Sequence, residues 1–146
     1  MSLQELYQEV IVDHSKSPRN FGKIDRASHA EGYNPLCGDK VDVYVKLDGN
    51  RVKEISFKGN GCAISTASAS LMTEFAKLKT IEEVRKVSDE FQSMITHEDY
   101  EPHMDIGKLA VFQGVREFPT RVKCATLAWH TLKSALKGRE EIVSTE

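Results

Sequence analysis

Val41-Asp42-Val43-Tyr44-Val45-Lys46-Leu47-Asp48-Gly49-Asn50-Arg51-Val52-Lys53-Glu54-Ile55-Ser56-Phe57-Lys58-Gly59-Asn60-Gly61-Cys62 decides the fold. Val41, Val43, Val45 and Leu47 alternate with Asp42, Tyr44, Lys46 and Asp48, and a period of two marks a strand with one buried face. Asp48-Gly49-Asn50 supplies residues that tolerate the positive φ of a hairpin turn. Val52 to Lys58 then returns with Ile55 and Phe57 on one side. After Gly59-Asn60-Gly61 the pattern turns helical, and Cys62 to Lys77 is rich in Ala and Ser, with Ile64, Ala67, Ser68, Leu71 and Met72 or Phe75 along one side. Side chains this small let a helix lie close to a sheet or to a second helix.

Upstream, Ser2-Leu3-Gln4-Glu5 has the form of a capping box, and Leu3, Tyr7, Val10 and Ile11 recur at helical spacing to about Asp13. Ser17-Pro18-Arg19-Asn20-Phe21-Gly22 ends that helix, and His29 to Tyr33 is a candidate edge strand. Downstream, Thr80-Ile81-Glu82-Glu83 is a second capping box, leading a helix to about Ile95 with Val84, Val87, Phe91 and Ile95 on its apolar face. Thr96 to Met104 reads as a polar loop and Ile106 to Val115 as helix. Pro119 opens a last helix with the stripe Val122, Ala125, Trp129 or Ala128, Leu132 and Leu136, and Gly138 just beyond. The expected architecture is α+β: a small three-stranded antiparallel sheet, covered on one face by helices, in one domain over 1–146 with a loose tail at 140–146.

The chain has 146 residues, 40% apolar and 29% charged, with a formal charge of −2. That suits one domain with a real core. The charge balance gives no case for nucleic acid, and no basic run supplies one. No apolar stretch approaches the roughly 18 residues of a membrane span. Met1 to Val12 lacks a basic n-region, so no signal peptide is expected and a reducing cytoplasm is the expected compartment.

Three cysteines, Cys37, Cys62 and Cys124, lie far apart. An odd number of thiols argues against a disulfide framework and leaves metal binding or thiol chemistry. Cys37 and Asp39 flank Gly38 in a turn-rich stretch, so both can face one ion. Cys62 stands at an expected helix N-terminus, whose amides favour an anion. Cys124 is expected in a similar first-turn position, with Arg121 and Lys123 adding positive charge. Three thiolates and the Asp39 carboxylate would fill a tetrahedral zinc shell. Free cysteine is also among the most buried residue types, and this spacing matches no Cys-x-x-Cys ribbon or finger, so packing and metal binding both stay open on the residues alone. His14, His29, His97, His103 and His130 form no His-x-x-x-His pair and read as surface or partly satisfied side chains.

Asn34-Pro35-Leu36-Cys37-Gly38-Asp39, Gly59-Asn60-Gly61-Cys62-Ala63-Ile64-Ser65 with Ala67-Ser68-Ala69-Ser70, and Arg121-Val122-Lys123-Cys124-Ala125-Thr126-Leu127 resemble the IscU-type, NifU-N-like iron–sulfur cluster assembly family, above all its SufU branch of zinc-dependent sulfurtransferases. Asp13-His14-Ser15-Lys16-Ser17-Pro18-Arg19-Asn20 is similar as well, so the likeness runs from about residue 4 to 138. Scaffold-type members carry a His before the third cysteine, where this chain has Lys123. They also carry a Leu-Pro-Pro-Val-Lys segment where this chain has Glu117-Phe118-Pro119-Thr120-Arg121. The stretch at about 82–103 matches an insertion that marks the SufU branch.

The resemblance implies a zinc site of Cys37, Asp39, Cys62 and Cys124, supported by Gly38, Arg121 and Lys123. It further implies sulfur transfer from the persulfide of a SufS-type cysteine desulfurase to a downstream cluster-assembly scaffold. In that scheme a His of the desulfurase displaces Cys37 from the metal, and the freed thiolate takes the sulfur. Cys37 is the expected acceptor because it lies in a Gly-flanked turn, whereas Cys62 and Cys124 are anchored on helices. The alternatives are a scaffold on which a [2Fe–2S] cluster is assembled, and a purely structural zinc site.

Overall fold

The computed structural model describes residues 3–36, 38–97, 99–137 and 142–144. Helix α1 spans Leu3–Lys16, strand β1 Ser28–Asn34, β2 Asp39–Asp48, β3 Arg51–Asn60, helix α2 Ala63–Ala76 and helix α3 Ile81–Thr96. A 3-10 helix follows at Gly107–Glu117, then α4 at Pro119–Leu136 and β4 at Ile142–Ser144. No helix is long and apolar enough to cross a membrane among the described residues.

The sheet order is β3-β2-β1-β4. The three expected strands pair antiparallel, Val43 lying opposite Ala30 on one side and Phe57 on the other. A fourth strand is an addition: β4 pairs parallel to β1, with Gly32 opposite Val143, so part of the stretch expected as a loose tail extends the sheet. Both the three-residue strand and its parallel pairing are too short to leave a periodic signal.

Val41, Val43, Val45, Val52, Ile55 and Phe57 point into the core, and α2 and α4 lie on that face. Leu47 was expected with them but is 39% exposed. Leu47 lies next to the hairpin turn at the end of the sheet; the register shift between Lys46 and Leu47 leaves Lys53 of β3 unpaired, which is what lets Val52 share a face with Ile55 and Phe57. At the free edge of β3, Gly22 N–H donates to the Phe57 carbonyl and Phe57 N–H donates to the Asn20 carbonyl, so the loop after α1 covers backbone groups that would otherwise be open for pairing.

Helix α4 is buried almost all round, because the sheet, α2, α3 and the 3-10 helix each take a side. Trp129 stacks on Phe91 of α3 at 5.0 Å, and Phe91 meets Phe112 of the 3-10 helix at 5.5 Å. The Thr80–Glu83 capping box forms as expected: Glu83 N–H donates to Thr80 Oγ1 at 3.1 Å, and Thr80 N–H donates to Glu83 Oε1 at 3.3 Å. Two boundaries differ from expectation. Helix α1 runs on to Lys16, and the helix expected at 106–115 is 3-10 in type and shifted to Gly107–Glu117. Ser2 of the first capping box lies outside the described residues.

Candidate metal centre

Two structural devices bring distant parts of the chain to one place. The first is the β1–β2 hairpin. Asn34 and Asp39 face one another across it, Gly38 N–H donates to the Asn34 carbonyl at 2.8 Å, and Leu36 N–H donates to Asn34 Oδ1 at 3.1 Å. Gly38 has φ of +73°, a conformation that costs glycine little and a branched residue much. The turn therefore closes and delivers Asp39, 3% exposed, to the helix-covered face. Cys37 lies outside the described residues; beside it, Leu36 is 64% exposed.

The second device joins α2 to α4. Buried Ser68 donates its hydroxyl proton to the Ala125 carbonyl at 2.6 Å and accepts the Trp129 indole N–H at 3.1 Å. Between two buried helix faces, this bridge fixes both spacing and rotation, and it places Cys124 against the start of α2.

Cys62 is the N-cap of α2. Its sulfur accepts Ser65 N–H at 3.4 Å, and its own N–H donates to Asp39 Oδ1 at 3.0 Å. Asp39 Oδ2 stands 3.7 Å from Cys62 Sγ. A Cβ built on Gly61 would come within 2.7 Å of Ser65 Oγ and 3.4 Å of Asp39 Oδ1, so this approach of strand end to helix start leaves little room for a side chain. Cys124, 1% exposed, sits five residues past Pro119 in the second turn of α4. The first-turn setting expected for it is not what the structure shows, because α4 already begins at Pro119. One ligand atom each from Asp39, Cys62 and Cys124 lies within 4.8 Å of the others.

Those distances suit a single small cation. Around tetrahedral zinc with bonds of about 2.0–2.3 Å, neighbouring sulfur and oxygen ligands stand roughly 3.5–3.8 Å apart. The Cys62–Asp39 separation already has that value, and no other separation in the group exceeds 4.8 Å.

Arg121 provides the positive charge. The Cys62 sulfur raises the Arg121 guanidinium pKa above its usual range; desolvation opposes it, and Cys124 and hydrogen bonds to both sulfurs act in the same direction as Cys62. Lys123 is half-buried and makes no bond to either thiol among the described residues. Tyr7 of α1 is a neighbour that the sequence did not announce. Burial raises its phenol pKa, Arg121 lowers it and Cys62 raises it, so α1 brings an aromatic hydroxyl into the electrostatic reach of the site. Its place in the apolar stripe of α1 was visible, but not which elements that stripe would meet.

The Asp13–Asn20 motif has a supporting role at a distance. Buried His14 hydrogen-bonds through Nδ1 to Ser70 Oγ at 2.7 Å, Arg19 N–H donates to the same oxygen, and Asn20 Nδ2 donates to Thr73 Oγ1. Arg19 also pairs with Asp13 at 2.7 Å. Together they tie the end of α1 to the middle of α2.

Comparison with known proteins agrees with this architecture. The family model for the NifU-like N terminal domain matches residues 6–125. The zinc-dependent sulfurtransferase SufU of Bacillus subtilis is 42% identical over 139 residues, covering 95% of either chain. The iron–sulfur cluster assembly scaffold protein IscU of Streptococcus pyogenes is 41% identical, covering 92% of this chain and 85% of its own. A crystal structure from Fervidobacterium islandicum AW-1, whose description assigns it provisionally as an iron–sulfur cluster assembly scaffold protein for the SUF system, superposes with a TM-score of 0.83 at 36% identity, covering 91% of this chain and 98% of that one. The N-terminal part of a NifU-like protein from Brucella abortus matches at a TM-score of 0.84 with 22% identity, a likeness of fold alone. With matching sequence and fold, the chain belongs to the NifU-like N-terminal domain family of iron–sulfur cluster assembly proteins.

Proposed function

We propose that this protein is a zinc-dependent sulfurtransferase that accepts persulfide sulfur from a SufS-type cysteine desulfurase and passes it on for cluster assembly. The observation that carries the reading is the convergence of Asp39, Cys62 and Cys124 beneath Arg121. Cys62 and Cys124, anchored on α2 and α4, would hold the ion together with Asp39, and Cys37 would complete the set. Bound zinc would keep these sulfurs deprotonated at neutral pH without redox chemistry of its own.

The transfer step belongs to Cys37. Its thiolate attacks the outer sulfur of the partner's persulfide. A new sulfur–sulfur bond forms on Cys37 as the partner's breaks, and the desulfurase cysteine leaves as thiolate, a displacement of the kind seen in thiol–disulfide exchange. Arg121 stabilises negative charge near the reacting sulfurs. The exposed Leu36 and the positive-φ Gly38 support an acceptor carried on the hairpin turn rather than in the core. Lys123 and the Glu117–Arg121 stretch, which depart from the scaffold pattern, favour the same reading.

A second reading is favoured by the Streptococcus pyogenes scaffold protein, which is nearly as similar in sequence. Three thiolates and a carboxylate also suit a labile [2Fe–2S] cluster. Metal and sulfide analysis of protein purified without air separates the two. Tightly bound zinc without iron supports the relay, whereas iron with acid-labile sulfide supports the scaffold.

A further inference from the structure

The opposite face of the sheet carries a second convergence of metal-binding side chains. Strand alternation sends Asp39 toward the helices and Asp42 away from them, so whatever gathers around Asp42 is separate from the thiol site. His29 and Glu31 project from β1 on that outer face, and Glu31 stands directly opposite Asp42 in the register. Nε2 of His29 reaches diagonally to Asp42 Oδ1 at 2.7 Å. One ligand atom from each of the three lies within 4.8 Å of the others.

The imidazole is held in place. Its ring stacks on Tyr44 with centroids 4.5 Å apart and planes 6° from parallel, and Tyr44 is itself buried. Glu31 and Asp42 also line an open cavity of about 410 Å³, which leaves room for water to complete a coordination shell. Two carboxylates facing each other across strands repel unless a cation lies between them. The nearby lysines do not take that place. Lys40 lies over the Tyr33 ring at 5.9 Å, and Lys58, opposite Asp42 on β3, forms no ion pair among the described residues.

From this arrangement we propose that His29, Glu31 and Asp42 form a second, weaker site for a divalent first-row transition ion of the zinc or ferrous type. One imidazole nitrogen and two carboxylates suit borderline ions of this class. Entry of the ion replaces the His29–Asp42 hydrogen bond, and any proton on Nε2 goes to solvent. The site depends on neither the thiols nor the proposed relay.

The test is calorimetric titration of the zinc-loaded protein with further Zn²⁺, followed by the same titration of His29→Ala and Asp42→Asn. The expected result is one additional binding step in the parent protein. Each variant should weaken that step by at least the roughly 10-fold that loss of even a supporting partner costs a metal site, while the zinc already bound to the thiols stays in place. Cys62→Ser should keep the additional step, which makes failure here distinguishable from failure of the relay. Absence of a second step, or a second step that both variants leave unchanged, would overturn the proposal.

Discussion

At the residue scale, Asp39 does two things. It accepts the Cys62 N–H through Oδ1 and presents Oδ2 at a coordination-like distance from the sulfur. Asp39→Ala removes the oxygen ligand of the proposed zinc site and also leaves the Cys62 amide without its carboxylate acceptor. Zinc affinity, measured by competition with a chromophoric chelator, is expected to fall by roughly 10-fold or more. Unchanged affinity would remove Asp39 from the ligand set. The residue type and the spacing from Cys37 made this carboxylate legible in the sequence. Tyr7 was not, since an aromatic in a helix stripe announces burial without saying what it will be buried against.

At the scale of elements, the thiol geometry depends on how α2 meets α4. Ser68→Ala deletes the hydroxyl between the Trp129 indole and the Ala125 carbonyl and leaves a buried N–H unpaired. The expected cost is about 1–3 kcal/mol in urea denaturation, with weaker zinc retention because Cys124 is no longer held in rotation against Cys62. Thr80→Ala serves as the contrast. Losing the cap of α3 should cost about 0.5–2 kcal/mol and leave zinc retention unchanged. Equal effects of both variants on zinc would mean that the bridge has no specific part in the site. Periodicity located α2, α3 and α4 because each is long and carries a marked start. It could not place Leu47, since alternation marks a face of the strand without showing where the covering helices end. Nor could it reveal β4, whose three residues acquire strand character only by pairing with β1.

At the scale of the whole molecule, the sheet supplies a rigid floor, the hairpin brings Asp39 to one end of it, and two helices set the thiols above that end. The order strand–turn–strand–Gly–helix was legible because hairpin chemistry and the change of period lie within a single stretch. The meeting of Cys62 with Cys124 was legible only through the family resemblance, because periodicity does not show packing between residues far apart in sequence. Stability should also carry an acid signature. Burial, with Arg19 adding to it, holds the His14 pKa below its ordinary value, and burial followed by Lys133 does the same for His130. The unfolded chain therefore takes up protons more readily below about pH 6.5. This contribution is flat above that pH and destabilises the fold progressively as pH falls toward the depressed folded values. His14→Gln should reduce the loss of urea midpoint between about pH 8 and pH 5.5 relative to the parent. Because acid would weaken the proposed metal site equally in both proteins, the difference between them isolates the histidine. Parallel pH profiles would contradict the assignment.

The most direct test of the sulfur-relay reading is to mix the zinc-loaded protein with a SufS-type cysteine desulfurase and cysteine, without air, and map the added sulfur by peptide mass spectrometry. The account expects one extra sulfur on Cys37, none on Cys62 or Cys124, and no transfer to a Cys37→Ala variant that still holds zinc. Sulfur on Cys62 or Cys124, or turnover stimulated equally by the variant, would contradict it.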